Sequence, residues 1–175
     1  MADIKQKIQL CLWFDKECEE AMNLYIDTFN NRPGADKKES KIMSIQRYPE
    51  GQQIGPMKDM EGKVITAFFS LEGQVFQALD GGPMFKFNES LSLSVDCDGQ
   101  EEVDYFWNKL IANGGEESQC GWLKDKYGLS WQIIPKQLGE LLSSPEQEKA
   151  GRAMQAMLQM KKIDINKLQE AFDGK

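Results

Sequence analysis

Two glutamine residues stand at matching points of a repeated pattern, and each side chain can both donate and accept hydrogen bonds. Segment 73–79 reads GQVFQAL and segment 128–134 reads GLSWQII. A strand repeated with the same polar residue predicts two related halves that direct both amides to one shared site. The alternative is that the amides bond to neighbouring strands or lie outside the sheet. The matching pairs are Gly73 with Gly128, Phe76 with Trp131, Gln77 with Gln132, and Leu79 with Ile134.

Histidine is absent from the chain. The commonest general base and the commonest metal ligand are therefore missing. Nucleophiles of the serine–histidine and cysteine–histidine type are excluded. Any catalysis or metal binding would have to use other side chains.

Four cysteines are spaced irregularly, without a C-x-x-C pair, which predicts reduced thiols in a cytosolic protein. Cys11 and Cys97 fall in strand patterns and are expected in the core. Cys120 would be a reactive thiol if a nearby lysine lowered its pKa; otherwise it is inert. The cysteines are Cys11, Cys18, Cys97 and Cys120.

Aromatic and hydroxyl side chains supply the remaining candidates for a binding site. Trp13, Trp122, Phe76 and Trp131 either line a cavity or fill the core. Trp122 is the better cavity candidate, because it adjoins Gly121 on a strand expected near the sheet edge. Ser92 and Ser94 have no base beside them, so they are predicted only as polar lining. Asp125 is interpreted as a turn residue before Gly128.

Hydrophobic periodicity predicts both helices and strands, in two halves that each run strand–helix–strands, followed by a helical tail. The first module has a strand at 8–14 with both faces covered, a helix at 15–30 capped by Asp15, strands at 40–48, 63–71 and 74–79, and a loop at 49–62. The second has strands at 91–97, 116–124 and 129–134 and a helix at 100–113. We expect one domain at 1–135, with halves at 1–83 and 84–135, and a helical extension at 136–175. In the extension, Ser144-Pro145 and Asp164 are expected to begin helices.

Bulk properties narrow the range of partners. The 175 residues carry a net charge of -7, which disfavours nucleic acid and anionic membranes as partners. No apolar run is long enough to span a bilayer. The first residues, MADIKQKIQL, lack the pattern of a signal peptide, so a cytoplasmic location is expected.

Several segments together resemble one family. The patterns FSLEGQVFQALDGG, SLSVDC, GQEEVDYFWNKL and CGWLKDKYGLSWQIIP are similar to the PhnB-like branch of the glyoxalase/bleomycin resistance/dioxygenase superfamily. This branch is also labelled the 3-demethylubiquinone-9 3-methyltransferase family. The resemblance implies that residues 1–135 form a glyoxalase-like domain with an α+β fold, in which two βαβββ modules form a curved mixed sheet around a cavity. It also implies a homodimer.

Many members of that superfamily bind a divalent metal through histidine and glutamate, and the last strand usually supplies a glutamate after its aromatic residue. Here Gln132 stands at that point and Gln77 at its counterpart. The positions near Gln9 to Cys11 and near Ser92 to Ser94 offer no histidine. A neutral amide is a weak ligand, so we expect no metal and no cofactor.

Three functions follow from the resemblance and the residues. The preferred hypothesis is a metal-free protein that binds a small organic ligand through Gln77, Gln132, Trp122, Cys120, Trp13 and Ser94. The second is an enzyme, either a methyltransferase as the label says or an isomerase or lyase using Cys120. No glycine-rich turn opens a helix as a nucleotide-like cofactor would require. The third is a structural or regulatory protein whose cavity is filled by its own side chains.

Overall fold

The computed structural model describes residues 6–51 and 59–175. Its contacts divide the chain into two compact units, with the boundary between Phe87 and Asn88. Residues 52–58, which belong to the loop predicted at 49–62, lie outside the described residues.

The first unit is a βαβββ module with a four-stranded mixed sheet. Strand β1 pairs in parallel with β4, while β4 with β3 and β3 with β2 are antiparallel, which gives the order β1-β4-β3-β2. Its elements are β1 (Leu10–Phe14), α1 (Cys18–Asn30), β2 (Lys41–Arg47), β3 (Val64–Leu71) and β4 (Gln74–Asp80).

The second unit repeats this arrangement in the order β5-β8-β7-β6, with β5 and β8 parallel, and adds three helices. The predicted α+β fold of two βαβββ modules and a helical tail is confirmed. The module contains β5 (Ser92–Cys97), α2 (Gln100–Leu110), β6 (Glu116–Glu117), β7 (Trp122–Lys124) and β8 (Ser130–Pro135), and the tail contains α3 (Lys136–Leu142), α4 (Gln147–Met157) and α5 (Ile165–Asp173).

A two-residue turn sets the register of the β3–β4 hairpin. Glu72 and Gly73 both have positive φ, at 49° and 85°. This is the backbone of the tight hairpin turns whose twist matches that of the flanking strands. Leu71 therefore pairs with Gln74, and each earlier residue of β3 pairs with a later one of β4.

Helix α1 begins later than the sequence predicts, and Asp15 does not cap it. The helix starts at Cys18, whose backbone N–H donates to the Asp80 carboxylate at 2.8 Å. The second oxygen of Asp80 accepts from the Val64 N–H at 2.9 Å. A residue 62 positions away along the chain thus defines the helix start, which local spacing does not reveal.

Strand β1 also differs from its prediction. It starts at Leu10, and Ile8 is 83% exposed. Its Leu12 and Phe14 are buried, but Cys11 on the other face is exposed. The expectation of a strand covered on both faces with a buried Cys11 is therefore wrong, whereas Cys97 is buried as expected.

The helical tail packs on the second module. Leu138, Ile163 and Leu168 form a small core, and Ile134 of β8 packs against it. The backbone N–H groups of Cys120 and Gly121 donate to the carbonyl oxygens of Met160 and Lys161, both at 2.7 Å. The tail is thus bonded to the turn before β7.

One of the two helix starts expected in the tail has the predicted cap. Asp164 accepts from the Lys167 N–H at 3.1 Å and so caps α5. Helix α4, by contrast, starts at Gln147 after Glu146 and has no side-chain cap. The helix start predicted at Ser144-Pro145 is therefore wrong. The boundaries predicted at residues 83 and 135 remain predictions.

None of the helices in residues 6–51 and 59–175 combines the length and the apolar character needed to cross a bilayer.

Candidate functional site

Each sheet buries one face against the helix of its own module. In β4 the residues Phe76 and Ala78 are buried, and in β8 the residues Trp131 and Ile133 are buried. Because side chains alternate along a strand, Gln77 and Gln132 lie on the opposite face. We call this opposite side of each sheet its far face. Gln77 and Gln132 are both half-buried there.

On the far face of the first module, three neighbouring strands place three side chains in line. Gln77 of β4 pairs with Phe68 of β3 on one side and with Cys11 of β1 on the other. We call Phe68, Gln77 and Cys11 the first glutamine row. Paired residues on one face have Cβ atoms about 4.5–5.5 Å apart, so the three side chains are direct neighbours.

The second module repeats this row with different flanking residues. Gln132 of β8 pairs with Trp122 of β7 and with Ser94 of β5. Trp122, Gln132 and Ser94 form the second glutamine row. The structure thus brings together three of the residues predicted for the site. Trp122 is not near the sheet edge as expected, because β6 lies on the other side of β7.

A hydroxyl group orients each glutamine amide. Gln77 Nε2 donates to Thr66 Oγ1 at 3.1 Å, and Gln132 Nε2 donates to Ser92 Oγ at 2.8 Å. Thr66 lies on the strand that carries Phe68, whereas Ser92 lies on the strand that carries Ser94. Both modules therefore carry the glutamine. Its hydroxyl partner lies on β3 in the first module and on β5, the strand parallel to that of the glutamine, in the second.

The other aromatic candidates have structural partners. Phe76 and Trp131 are 5% and 1% exposed and belong to the core. The Trp131 Nε1–H donates to the Asp125 carboxylate at 2.9 Å. Asp125 also accepts from the Tyr127 and Leu129 N–H groups, which confirms its role in the turn.

Trp13 contacts the segment that follows β4. Its Nε1–H donates to the Gly82 carbonyl oxygen at 2.9 Å, and its ring meets that of Phe85 edge-to-face at 4.9 Å. A Cβ atom added at Gly81 would lie 2.1 Å from the indole, so a glycine is needed there. A ligand could use this indole N–H only by displacing Gly82.

Cys120 lies outside the second glutamine row. Its φ is 58°, and its backbone N–H is bonded to Met160 of the tail. The residue belongs to the turn that precedes Trp122, where the tail is attached. Cys11, in contrast, lies within the first row; although the residue is exposed, partial desolvation of its sulfur raises the pKa of the thiol. A raised pKa favours the less nucleophilic thiol form.

The far face of the first module is uncharged along its three neighbouring strands β1, β4 and β3. Every residue that these strands place on it is apolar, hydroxyl, thiol or amide in character. In the second module, Asp96 is exposed at one end of β5, and Lys124 at the end of β7 forms an ion pair with Glu89. Both glutamine rows themselves carry no formal charge.

These side chains do not fit a divalent metal. Zinc and related ions prefer imidazole, thiolate or carboxylate ligands, and amide oxygens are weak substitutes. Within the residues that the structure describes, no three His, Cys, Asp or Glu side chains are grouped so that they could hold an ion. Cys11 is the one such residue in either row.

Sequence reasoning missed Phe68, Cys11 and Thr66 as members or supports of the rows, whereas it named Ser92 as polar lining. Phe68 could have been found, because the turn at Glu72-Gly73 fixes its pairing with Gln77. The hydroxyl contacts of the two amides could not, since they depend on the reach and rotamer of each amide.

A separate cavity of about 530 Å³ lies beside the start of α1 in the first unit. It is lined mainly by charged side chains, including Arg47, Glu19 and Lys63. The Arg47 guanidinium contacts both oxygens of Glu19, at 2.8 and 2.6 Å. This cavity contains none of the residues of the glutamine rows.

Comparison with known proteins gives a family and a fold. The model of the family 3-demethylubiquinone-9 3-methyltransferase matches residues 6–134. A solved structure of a PhnB protein from Bacillus cereus, described as a candidate 3-demethylubiquinone-9 3-methyltransferase, is 39% identical. The match covers 74% of this chain and 99% of that one, with a TM-score of 0.62.

A more distant structure shares the fold. A protein from Pseudomonas aeruginosa is 17% identical over 75% of this chain and 98% of its own, with a TM-score of 0.56. A glyoxalase/bleomycin resistance protein from Albidiferax ferrireducens T118 is 15% identical over 73% of this chain and 96% of its own, with a TM-score of 0.44. None of the curated proteins compared with the chain matches it. The family match and the PhnB relative from Bacillus cereus show that the chain belongs to the 3-demethylubiquinone-9 3-methyltransferase family.

Proposed function

We propose that the protein binds a small organic molecule without a metal ion, and that each glutamine row is a binding surface within its own module. The observation that carries this proposal is the repetition of an aromatic–glutamine–small residue row on the far face of both modules. A purely structural sheet would have no need to place a hydroxyl-supported amide at the same point twice. Ligand sites combine apolar walls with a few polar groups that fix orientation, as these rows do.

The remaining predicted residues have different weights in this proposal. Trp122 and Ser94 flank Gln132 directly. Trp13 is a weaker candidate because its N–H is bonded to Gly82. Cys120 lies in the turn before β7, outside the row, so it would affect a ligand only through the position of that turn.

We further propose that the protein is a cytoplasmic homodimer that uses neither nucleic acid nor membrane as partner. The net charge of -7 supports the second part of this proposal, because nucleic acid and anionic lipid both repel an acidic protein. The resemblance to members of the superfamily, which usually form dimers, supports the proposed homodimer.

Ligand-observed NMR with a library of small organic fragments tests the proposed function. We expect fragments that bind the wild type to lose saturation transfer in Gln77→Leu or Gln132→Leu. Gln74→Leu is the matched control, because Gln74 lies on β4 at the exposed hairpin end and its Nε2 bonds only locally, to Val75. A library in which no fragment responds to either row substitution would refute the proposal.

The alternative function is a methyltransferase, which the family description favours. Titration calorimetry with S-adenosylmethionine separates the two. Binding at micromolar concentrations would favour the methyltransferase, whereas absence of binding together with fragment binding at the rows would favour the simple ligand-binding protein. Stoichiometric Zn²⁺ or Ni²⁺ binding that Gln132→Ala abolishes would contradict both the metal-free proposal and the ligand chemistry argued above.

A further inference from the structure

The absence of charge on three strands of the far face of the first module limits what can bind at the first glutamine row. Strands β1, β4 and β3 place no charged side chain on this face, and its charge lies on the outer strand β2, where Lys41 pairs with Ser70. A charged ligand would give up hydration on contact with the three uncharged strands without gaining a counterion from them. An uncharged ligand would not incur this cost.

Each glutamine amide keeps hydrogen-bonding capacity after its hydroxyl contact. A carboxamide has two N–H donors and a carbonyl oxygen with two lone pairs. In each row one donor is directed to a hydroxyl, on Thr66 or Ser92. Within residues 6–51 and 59–175, the side-chain oxygens (Oε1) of Gln77 and Gln132 have no hydrogen-bond partner. Each amide therefore offers one donor beside one acceptor.

An aromatic ring lies next to each of these amides. Phe68 is paired with Gln77, and Trp122 is paired with Gln132. Phe68 and Trp122 are half-buried, so part of each ring remains accessible. A flat ligand stacked on the ring of Phe68 or Trp122 would place one of its edges beside the neighbouring glutamine. Offset stacking of aromatic groups is favourable.

The geometry points to an uncharged, flat molecule with an amide-like edge as the ligand class, a donor N–H next to an acceptor C=O that pairs with the glutamine carboxamide. This inference rests on the proposed function and adds the selection of neutral over charged ligands. The hydroxyl contact restrains each glutamine side chain, so less side-chain freedom is lost when a ligand binds.

Three probes with the same ring and different charges test the inference at neutral pH: benzamide, benzoate and benzylamine in its protonated form. Binding is followed by the shifts of the glutamine side-chain amide signals in ¹⁵N-labelled protein. We expect benzamide to shift the Gln77 or Gln132 signals with a Kd at least tenfold lower than that of either charged probe.

Substitution with the charged isostere provides the second measurement. Gln77→Glu or Gln132→Glu should weaken benzamide at least fivefold and strengthen protonated benzylamine, whereas Gln74→Glu, on the same strand as Gln77, should change neither. Equal or tighter binding of benzoate or benzylamine at the wild-type rows would overturn the inference while leaving the proposed function standing. Absence of any shift at Gln77 and Gln132 with all three probes would also overturn it, and the fragment library then decides the proposed function separately.

Discussion

Asp80 is a buried carboxylate that joins the end of β4 to the start of α1. It is 1% exposed and accepts hydrogen bonds from the Cys18 and Val64 N–H groups. Burial raises the pKa of this carboxyl, and the two backbone bonds and Lys63 only partly oppose that effect. The same burial, together with the charge of Asp80, raises the pKa of the Cys18 thiol. The carboxylate thus connects two elements but does so at an electrostatic cost.

This cost predicts a pH dependence. A raised pKa means that the folded state holds the Asp80 proton more tightly than the unfolded state. The contribution of Asp80 to stability is therefore fully present below its unfolded pKa, about 4, and is lost as the pH rises through the folded value. The neutral variant Asp80→Asn removes this titration. We expect the free energy of unfolding of the wild type, minus that of Asp80→Asn, to fall as the pH rises above about 4.

Urea unfolding at several pH values measures this difference. Asp96→Asn is the matched control, since Asp96 is an exposed carboxylate on β5. A difference that rises with pH for Asp80→Asn would show that the backbone bonds outweigh desolvation.

Residue patterns could predict the positions of the two glutamines but not their contacts. Gln77 and Gln132 occupy equivalent points because alternation and the preceding turn residues fix which face each residue takes. The exposure of Cys11 could not be predicted, because an apolar strand looks the same whether one face or both are covered. The start of α1 was missed because its cap comes from Asp80, far away in the sequence.

At the scale of elements, the short segment before β7 determines how the tail is attached. Gly121 has φ of 84°, its carbonyl oxygen accepts from the Ile133 N–H, and its own N–H donates to Lys161. A Cβ atom at this position would lie 2.9 Å from the Ile133 carbonyl oxygen and 3.0 Å from Ile134 Cδ1. Both the backbone conformation and the packing therefore require glycine.

Two alanine substitutions separate these requirements. Gly128 has a similar φ of 86°, but an added Cβ would meet nothing within 4 Å. Gly128→Ala should destabilise the protein by about 1 kcal/mol through the left-handed backbone alone. Gly121→Ala should cost about 1–3 kcal/mol more, because the neighbouring strand must shift. Equal losses in urea unfolding would show that β8 accommodates the methyl group without strain.

At the scale of the whole molecule, the tail is an integral part of the second unit. Leu168 of α5 is fully buried with Ile163 and Leu138, and the group packs on Ile134 of β8. Ile134 lies on the same face of β8 as Gln132, two residues further along the strand. The tail therefore borders the second glutamine row. The helical periodicity after residue 136 predicts helices in the tail but not where they pack.

A substitution that weakens the packing of the tail should first expose the backbone amides that bond to it, in the turn before β7. Leu168→Ala should remove about 2–5 kcal/mol from the packing of the tail. We expect faster hydrogen exchange at the Cys120 and Gly121 amides, whose acceptors lie in the tail, and little change at the Cys18 and Val64 amides of the first unit. Leu158→Ala, at a position 47% exposed, is the control. Unchanged exchange at Cys120 and Gly121 would contradict this account of the tail.

The most direct measurement of the central claim is a crystal structure of the protein soaked with a mixture of uncharged aromatic fragments. We expect a bound fragment with polar atoms about 3 Å from the side-chain amide of Gln77 or Gln132 and with its ring against Phe68 or Trp122. Fragments bound only elsewhere, such as in the charged cavity beside α1, or a metal ion held by these glutamines, would contradict it.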